Sequence, residues 1–274
     1  MLPIDVFIIS FPKCGRTWLK FMIGRTIVHQ FGLYNHNYLN LDRLAALHPL
    51  VPRIVATHDD DPHWKKSDEL FTSKTVYQDV KVIFLARDPR DVLVSTYFEQ
   101  KKRAHIWIDK LIQKPHLQAY SKRIKPYSGN LSSYLKEEVG SIDTIIKFYN
   151  IWAENRTIPK DFLLLRYEDL QQNTHKELRR VMNFVGIKEV SSEIIAEAVK
   201  YASFDNMHKM ETDEIFNSYV LKPTNKNDLE SYKTRRGKVG GFTDYLNEEE
   251  IAYINSKIND ALSDFYRYRT HLNL

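Results

Sequence analysis

The sequence predicts an α/β fold: a single domain over residues 1–274, with a central parallel sheet flanked by helices. Three observations predict it. Four apolar runs are short enough to be buried strands and too short to be helices. Capped helical patterns lie between and after those runs, and strands alternating with helices make a layered parallel sheet. The first run leads into a basic, glycine-containing loop and then a helix, a P-loop-like arrangement for phosphate.

The elements follow in chain order. Val6–Ile9 is the first strand. Leu19, Met22, Ile23, Thr26 and Ile27 then recur at helical spacing. Ile54–Thr57 is the second strand and Val82–Ala86 the third. Asp88-Pro89 supplies an N-cap and a first-turn proline for a helix through Tyr97. Phe162–Leu165 is the fourth strand. Thr174 with Glu177 reads as a capping box, and that helix should stop at Gly186. Asn247 with Glu250 opens the last helix in a similar way. Ligands of such sheets bind at the carboxyl ends of the strands, so the loops after the four strands hold the candidate chemistry.

Composition bounds the function classes. The chain of 274 residues, 43% hydrophobic and 12% aromatic, can bury one large core. A net charge of +5 favours anionic partners without choosing among nucleotide, glycan, membrane surface and nucleic acid. Cys14 is the single cysteine, so an internal disulfide is excluded and a reducing compartment fits. A signal peptide pattern and an apolar stretch of roughly 20 residues are both missing, so a soluble, cytoplasmic protein is expected.

The first loop reads Ser10-Phe11-Pro12-Lys13-Cys14-Gly15-Arg16-Thr17-Trp18. Gly15 permits a tight turn, the helix start presents free N–H groups, and Lys13, Arg16 and Thr17 add charge and donors. A plain basic turn without a ligand would look similar. The loop is not a Walker A motif, because Lys13 precedes Gly15. A cysteine phosphatase loop is excluded too: the position of its arginine holds Lys20. His58 follows the second strand as Ala56-Thr57-His58, where a neutral imidazole could take a proton near pH 7. Asp59, Asp60 and Asp61 come next and read as a solvated turn rather than a metal site. Arg87 ends the third strand, and Ser95 lies eight residues on. Tyr167-Glu168-Asp169 follows the fourth strand.

These segments together resemble the PAPS-dependent sulfotransferases. Their 5′-phosphosulfate loop is Pro-Lys-Ser-Gly-Thr-Thr-Trp. Here Cys14 stands for the serine and Arg16 for the first threonine, while Lys13, Gly15, Thr17 and Trp18 match. Thr57-His58 matches the family's Lys-Thr-His, with Ala56 in place of the lysine. Arg87 to Ser95 matches its 3′-phosphate segment. Ala202-Ser203-Phe204 resembles its Thr-Ser-Phe adenine segment, and Arg235-Arg236-Gly237 its Arg-Lys-Gly loop.

The resemblance implies a sulfotransferase that moves a sulfuryl group from 3′-phosphoadenosine 5′-phosphosulfate (PAPS) to an acceptor hydroxyl and releases 3′,5′-adenosine bisphosphate (PAP). An amine acceptor is the second choice. No metal is implied. His58 would be the base, and Lys13 would stabilise the leaving phosphate oxygen. Cys14, Gly15, Arg16 and Thr17 would line the 5′-phosphate loop. Arg87, Ser95, Arg235, Arg236 and Gly237 would serve the 3′-phosphate, and Trp18, Phe204 and Tyr167 the adenine. The acceptor is a small molecule, glycan or lipid, and an anionic one would suit the stretch Glu99–Lys125, which carries +6. A solvated helical face explains that stretch as well. The alternatives are a kinase-like phosphotransferase and a basic adenylate- or nucleic-acid-binding module. The first lacks a Walker A motif, and the second lacks a recognisable binding motif.

Overall fold

The computed structural model describes residues 3–34, 39–108, 112–216 and 221–270. Four parallel strands form one sheet: β1 (Val6–Ile9), β2 (Ile54–Thr57), β3 (Lys81–Ala86) and β4 (Asp161–Arg166). Their order is β2-β1-β3-β4. Ile9 is in register with Thr57 on one side and Phe84 on the other, and Ala86 with Arg166. The inner strands β1 and β3 are apolar on both faces, as parallel strands covered on both sides must be. Both ends of β4 and the start of β3 extend one residue beyond the apolar runs: Lys81, Asp161 and Arg166 join the ladder through their backbones.

The strand order positions the chemistry. The chain goes from β1 to β2 on one side, then returns past β1 to β3 on the other. The reversal falls between the carboxyl ends of β1 and β3, the place where open α/β sheets bind ligands.

The chain divides into two compact units. The first takes Met1–Asp59, Thr72–Arg87 and Ile151–Asn206, and so holds the whole sheet. Its helices include α1 (Arg16–Phe31) and the helices Thr174–Val185 and Ser192–Tyr201. Trp152 is fully buried there, with its ring 5.3 Å from that of Tyr77 and 5.7 Å from that of Phe84. The second unit takes Asp60–Phe71, Asp88–Asn150 and Met207–Leu274. A cluster of Tyr97, Tyr127 and Tyr134 packs within it, and Tyr266 donates to the Tyr149 carbonyl at 2.6 Å.

Local signals mostly act as expected. Asp88 caps the helix Pro89–Phe98 by accepting from the Arg90 N–H at 2.9 Å. Asn247 and Glu250 form both bonds of a capping box. Gly186 ends its helix with φ 98°. The Thr174 cap is a correction: Thr174 is already helical, and Asn173 holds the cap position without a side-chain bond. A cap needs non-helical backbone, and Glu177 accepts from Arg180 instead, at 2.8 Å.

Candidate active site

Each strand of the sheet ends at a residue singled out by sequence: β1 before the Lys13 loop, β2 before His58, β3 before Arg87 and β4 before Tyr167. All lie in the first unit. There the Arg87 guanidinium lies over the Tyr167 ring, and Arg16 of the first loop reaches His58.

The loop after β1 is held in a tight conformation. Lys13 has φ 72° and Gly15 φ 94°, both in the left-handed region. Such a φ costs a non-glycine residue roughly 1–2 kcal/mol, which Lys13 bears and Gly15 avoids. Gly15 has a second reason to lack a side chain. A Cβ there would lie 2.7 Å from Tyr167 Cδ2. Gly15 is also the N-cap of α1, and no side chain caps the helix or places an acid in its first turn. A helix start of this kind carries N–H groups with partial positive charge. Cys14 is fully buried, and Lys13 and Thr17 are half-buried.

His58 is fixed by two contacts. Its Nδ1 lies 2.9 Å from the Ser10 carbonyl oxygen. A carbonyl only accepts, so Nδ1 carries the proton. Its Nε2 lies 2.7 Å from Arg16 Nη2. A guanidinium only donates, so Nε2 presents its lone pair. The ring is the neutral tautomer that a general base requires. This contact also shows where the Arg16 side chain goes: to the ring of His58.

Tyr167 lies beneath the loop. It is buried, with the Arg87 guanidinium 4.4 Å from its ring centroid and the Trp18 ring edge-on at 5.6 Å. Its hydroxyl accepts from Gln171 at 2.8 Å. Arg87 also donates to the Lys13 carbonyl at 3.3 Å. Trp18 donates from Nε1 to the Ala202 carbonyl at 2.8 Å, which ties α1 to the segment beginning at Ala202. The backbone of Ala202 thus makes a contact that does not depend on the missing hydroxyl. Phe204 is 40% exposed and opens the helix Phe204–Thr212.

The second unit holds the remaining candidates. Arg235 lies 3.4 Å from Ser95 Oγ, and its guanidinium is 4.5 Å from the Phe98 ring centroid. It also bonds Tyr245 Oη and, at 3.1 Å, Glu230. Arg236 is half exposed and donates to Tyr245 Oη at 3.1 Å. Gly237 has φ 61°. Two acids that the sequence reading did not assign pin this loop. Glu211, fully buried, accepts from the backbone N–H groups of Lys233 and Thr234 at 2.6 and 2.8 Å. Asp91 accepts from those of Gly240 and Phe242, both at 2.9 Å. The available signal for Asp91 was an acid in the first turn of a capped helix.

Two expectations are corrected. The three acids after His58 are not a solvated turn. Asp59 pairs with Lys74 at 2.7 Å and accepts from Tyr77 at 2.6 Å; Asp60 pairs with buried Lys65; Asp61 meets Lys114 at 2.8 Å and His116 at 2.9 Å. Burial forces each carboxylate to find a cation. Among the described residues no group of three or more acids, histidines or cysteines is arranged to hold a metal. Nor is Glu99–Lys125 simply a solvated face. Residues 109–111 lie outside the described residues. Lys101 donates to the Gly129 carbonyl, Lys102 pairs with Asp228, and Arg123 pairs with Glu69. Arg103 is fully buried and donates to the carbonyls of Lys222 and Ser231, both at 2.7 Å. Among its described residues, Lys101, Lys102, Arg103, Lys114 and Arg123 are thus engaged inside their own unit.

No helix among the described residues is long and apolar enough to cross a membrane. Comparison with known proteins gives one consistent result. A family model described as a sulfotransferase domain matches residues 3–266. Cytosolic sulfotransferase 17 of Arabidopsis thaliana is 23% identical, over 94% of this chain and 74% of that protein. Flavonol 3-sulfotransferase of Flaveria bidentis is also 23% identical, over 95% and 82%. Among solved structures, mouse sulfotransferase SULT7A1 complexed with PAP superposes with a TM-score of 0.60 at 19% identity, covering 96% of this chain and 87% of that one.

Proposed function

Since this chain belongs to the sulfotransferase domain family, we propose that it transfers a sulfuryl group from PAPS to the hydroxyl of a small-molecule acceptor in the cytoplasm, without a metal. The bond between sulfur and the 5′-phosphate oxygen breaks, and a bond between sulfur and the acceptor oxygen forms. The acceptor proton passes to His58 Nε2, and PAP leaves.

The observation that carries this reading is the His58 tautomer. A base with its lone pair fixed on Nε2 lies at the end of β2, beside a phosphate loop at the end of β1. The donor set supports an anionic nucleotide: a helix start without a side-chain cap, and Lys13. Lys13 is assigned to the charge that builds on the leaving oxygen, and Thr17 to the 5′-phosphate. Arg87 is assigned to the 3′-phosphate; for Ser95, Arg235 and Arg236 that assignment rests on the resemblance of their segments alone. Trp18, Phe204 and Tyr167 are assigned to the adenine. The relatives named for flavonols support a small-molecule acceptor. The deciding experiment is a thermal-shift comparison of PAP, ATP with Mg²⁺ and an oligonucleotide, followed by transfer from labelled PAPS to a panel of hydroxy compounds. Strong stabilisation by PAP alone is expected. Stabilisation by ATP with Mg²⁺ or by the oligonucleotide instead would turn the reading to a phosphotransferase or a nucleic-acid-binding module.

A further inference from the structure

His58 is held at its ring by Ser10 and Arg16, and its backbone is held as well. Asp59 follows it directly with φ 59°, in the left-handed region. A residue other than glycine keeps such a backbone only where its surroundings over-determine it. Three contacts fasten Asp59. Its N–H donates to Thr57 Oγ1 at 2.9 Å, a bond that spans His58 and reaches the last residue of β2. Its carboxylate accepts from the Tyr77 hydroxyl at 2.6 Å and pairs with the Lys74 amine at 2.7 Å. Lys74 is buried, with its amine 5.5 Å from the ring centroid of Trp152.

These contacts close a circuit within the first unit. Tyr77 is buried, and its ring meets that of Phe7 edge-on at 5.0 Å. Phe7 lies on β1, and β1 leads to Ser10, whose carbonyl accepts the Nδ1 proton of His58. The same strand thus reaches the histidine twice: at the ring through Ser10, and at the backbone through Phe7, Tyr77 and Asp59. A general base needs that precision, because a misplacement of about 1 Å can cost roughly 10²-fold in rate.

Stability alone does not account for the pair of Asp59 and Lys74. Desolvation offsets the attraction of a buried ion pair, and apolar residues of similar volume often do as well or better. A hydrogen-bonded carboxylate does fix a direction, which an apolar contact does not. We propose that Asp59, held by Lys74 and Tyr77, is a positioning residue for His58. It sets the backbone at the end of β2 so that the ring keeps its Nδ1 proton on Ser10 and its Nε2 lone pair in one orientation. This rests on the reading of His58 as the base.

The test reads the ring itself. Nitrogen NMR spectra of labelled histidine side chains distinguish the two neutral tautomers, and His58→Gln identifies the His58 signals among the ten histidines. At about pH 8, where an unperturbed imidazole is neutral, the wild type should show His58 protonated on Nδ1. Asp59→Gly combined with Lys74→Met frees the backbone, removes the acceptor of Tyr77 and leaves no buried charge alone. Its His58 signals should move towards an average of the two tautomers. Its kcat, with labelled PAPS and an acceptor from the panel, should fall roughly 10–10²-fold, and PAP affinity by calorimetry should hardly change. Asp59→Asn combined with Lys74→Met keeps an acceptor for Tyr77 and a residue type that tolerates the left-handed region, so it should restore most of both signals. Tyr77→Phe keeps the ring packing and should change both in the same direction to a smaller extent; it decides the question if the glycine variant does not fold. Three results overturn the proposal: an unchanged tautomer with near-normal kcat in the glycine variant or, failing that variant, in Tyr77→Phe; parallel losses of kcat and PAP affinity, which would make the cluster general support for the fold; or an asparagine variant as impaired as the glycine one. A wild type that does not bind PAP would defeat the sulfotransferase reading itself. The spectra need neither donor nor acceptor, so they separate that failure from a failure of the Asp59 assignment.

Discussion

The Ser10 carbonyl oxygen lies 2.9 Å from His58 Nδ1 and so leaves Nε2 as the imidazole nitrogen with the lone pair. Replacing His58 by alanine removes proton abstraction and leaves the phosphate loop in place. Turnover should fall roughly 10²–10⁴-fold, the usual contribution of a positioned base. PAP affinity measured by calorimetry should hardly change. Near-normal turnover of the variant on any acceptor would take this histidine out of the mechanism.

Arg87 contacts both the Lys13 carbonyl and the Tyr167 ring. Its assignment to the 3′-phosphate predicts that Arg87→Ala weakens PAP binding by about 1.5–3 kcal/mol, as for a lost bond to a charged group. The same variant should bind 5′-AMP nearly as the wild type does. Equal wild-type affinity for 5′-AMP and PAP would remove the assignment.

Gly15 combines a left-handed backbone with a close approach to Tyr167. Gly15→Ala should therefore destabilise the fold by about 2–4 kcal/mol, adding backbone strain to overpacking. Urea denaturation would measure this. A change below about 0.5 kcal/mol, the range of ordinary surface substitutions, would mean that the loop relaxes at little cost.

Cys14 is fully buried, and the proposed transfer uses no covalent intermediate. Cys14→Ser should keep its sulfotransferase activity within a few-fold. The folded wild type should also react with a thiol reagent much more slowly than the unfolded chain. A folded but inactive Cys14→Ser protein would contradict this.

Lys20 gives a pH signature. Its amine titrates at about 8 in the folded protein against 10.5 ordinarily. Between those values the unfolded chain holds more protons, so this residue makes stability rise with pH across that window. Below about 8 both states are protonated and the full penalty applies. Lys20→Met should thus be more stable than the wild type at pH 7, with the difference shrinking towards pH 10. A difference independent of pH would show that Lys20 acts through packing instead.

The sheet was readable because parallel strands covered on both faces leave continuous apolar runs, such as Val82–Ala86. The loops were readable because Gly15, Arg87 and His58 are residue types with specific uses at strand ends. Side-chain direction was not. The first-turn position of Arg16 suits a phosphate and a neighbouring strand end equally, and only packing shows that it meets His58. Tyr167 could be placed at the end of β4 but not beneath Gly15, since that contact joins residues about 150 positions apart. The acids Asp59 to Asp61 looked solvated because their partners Lys74, Lys65 and Lys114 are distant or unremarkable in sequence. Thr174 had the letters of a cap but one residue too late, a shift that only backbone dihedrals reveal.

The strand order also sets a timetable for synthesis. β1 leaves the ribosome well before β4, which completes the sheet through β3 and ends at Arg166. At ribosomal rates that interval lasts roughly 10–30 s. Through it the nascent chain carries Val6–Ile9 and Val82–Ala86 in an unfinished sheet whose β3 edge is open to other chains. Both units also draw on separate stretches of chain, so neither can be released early as a finished piece. The earlier strands depend on β4, made long after them, for their protection, and a chain truncated before residue 161 would keep the β3 edge open rather than give a smaller working product.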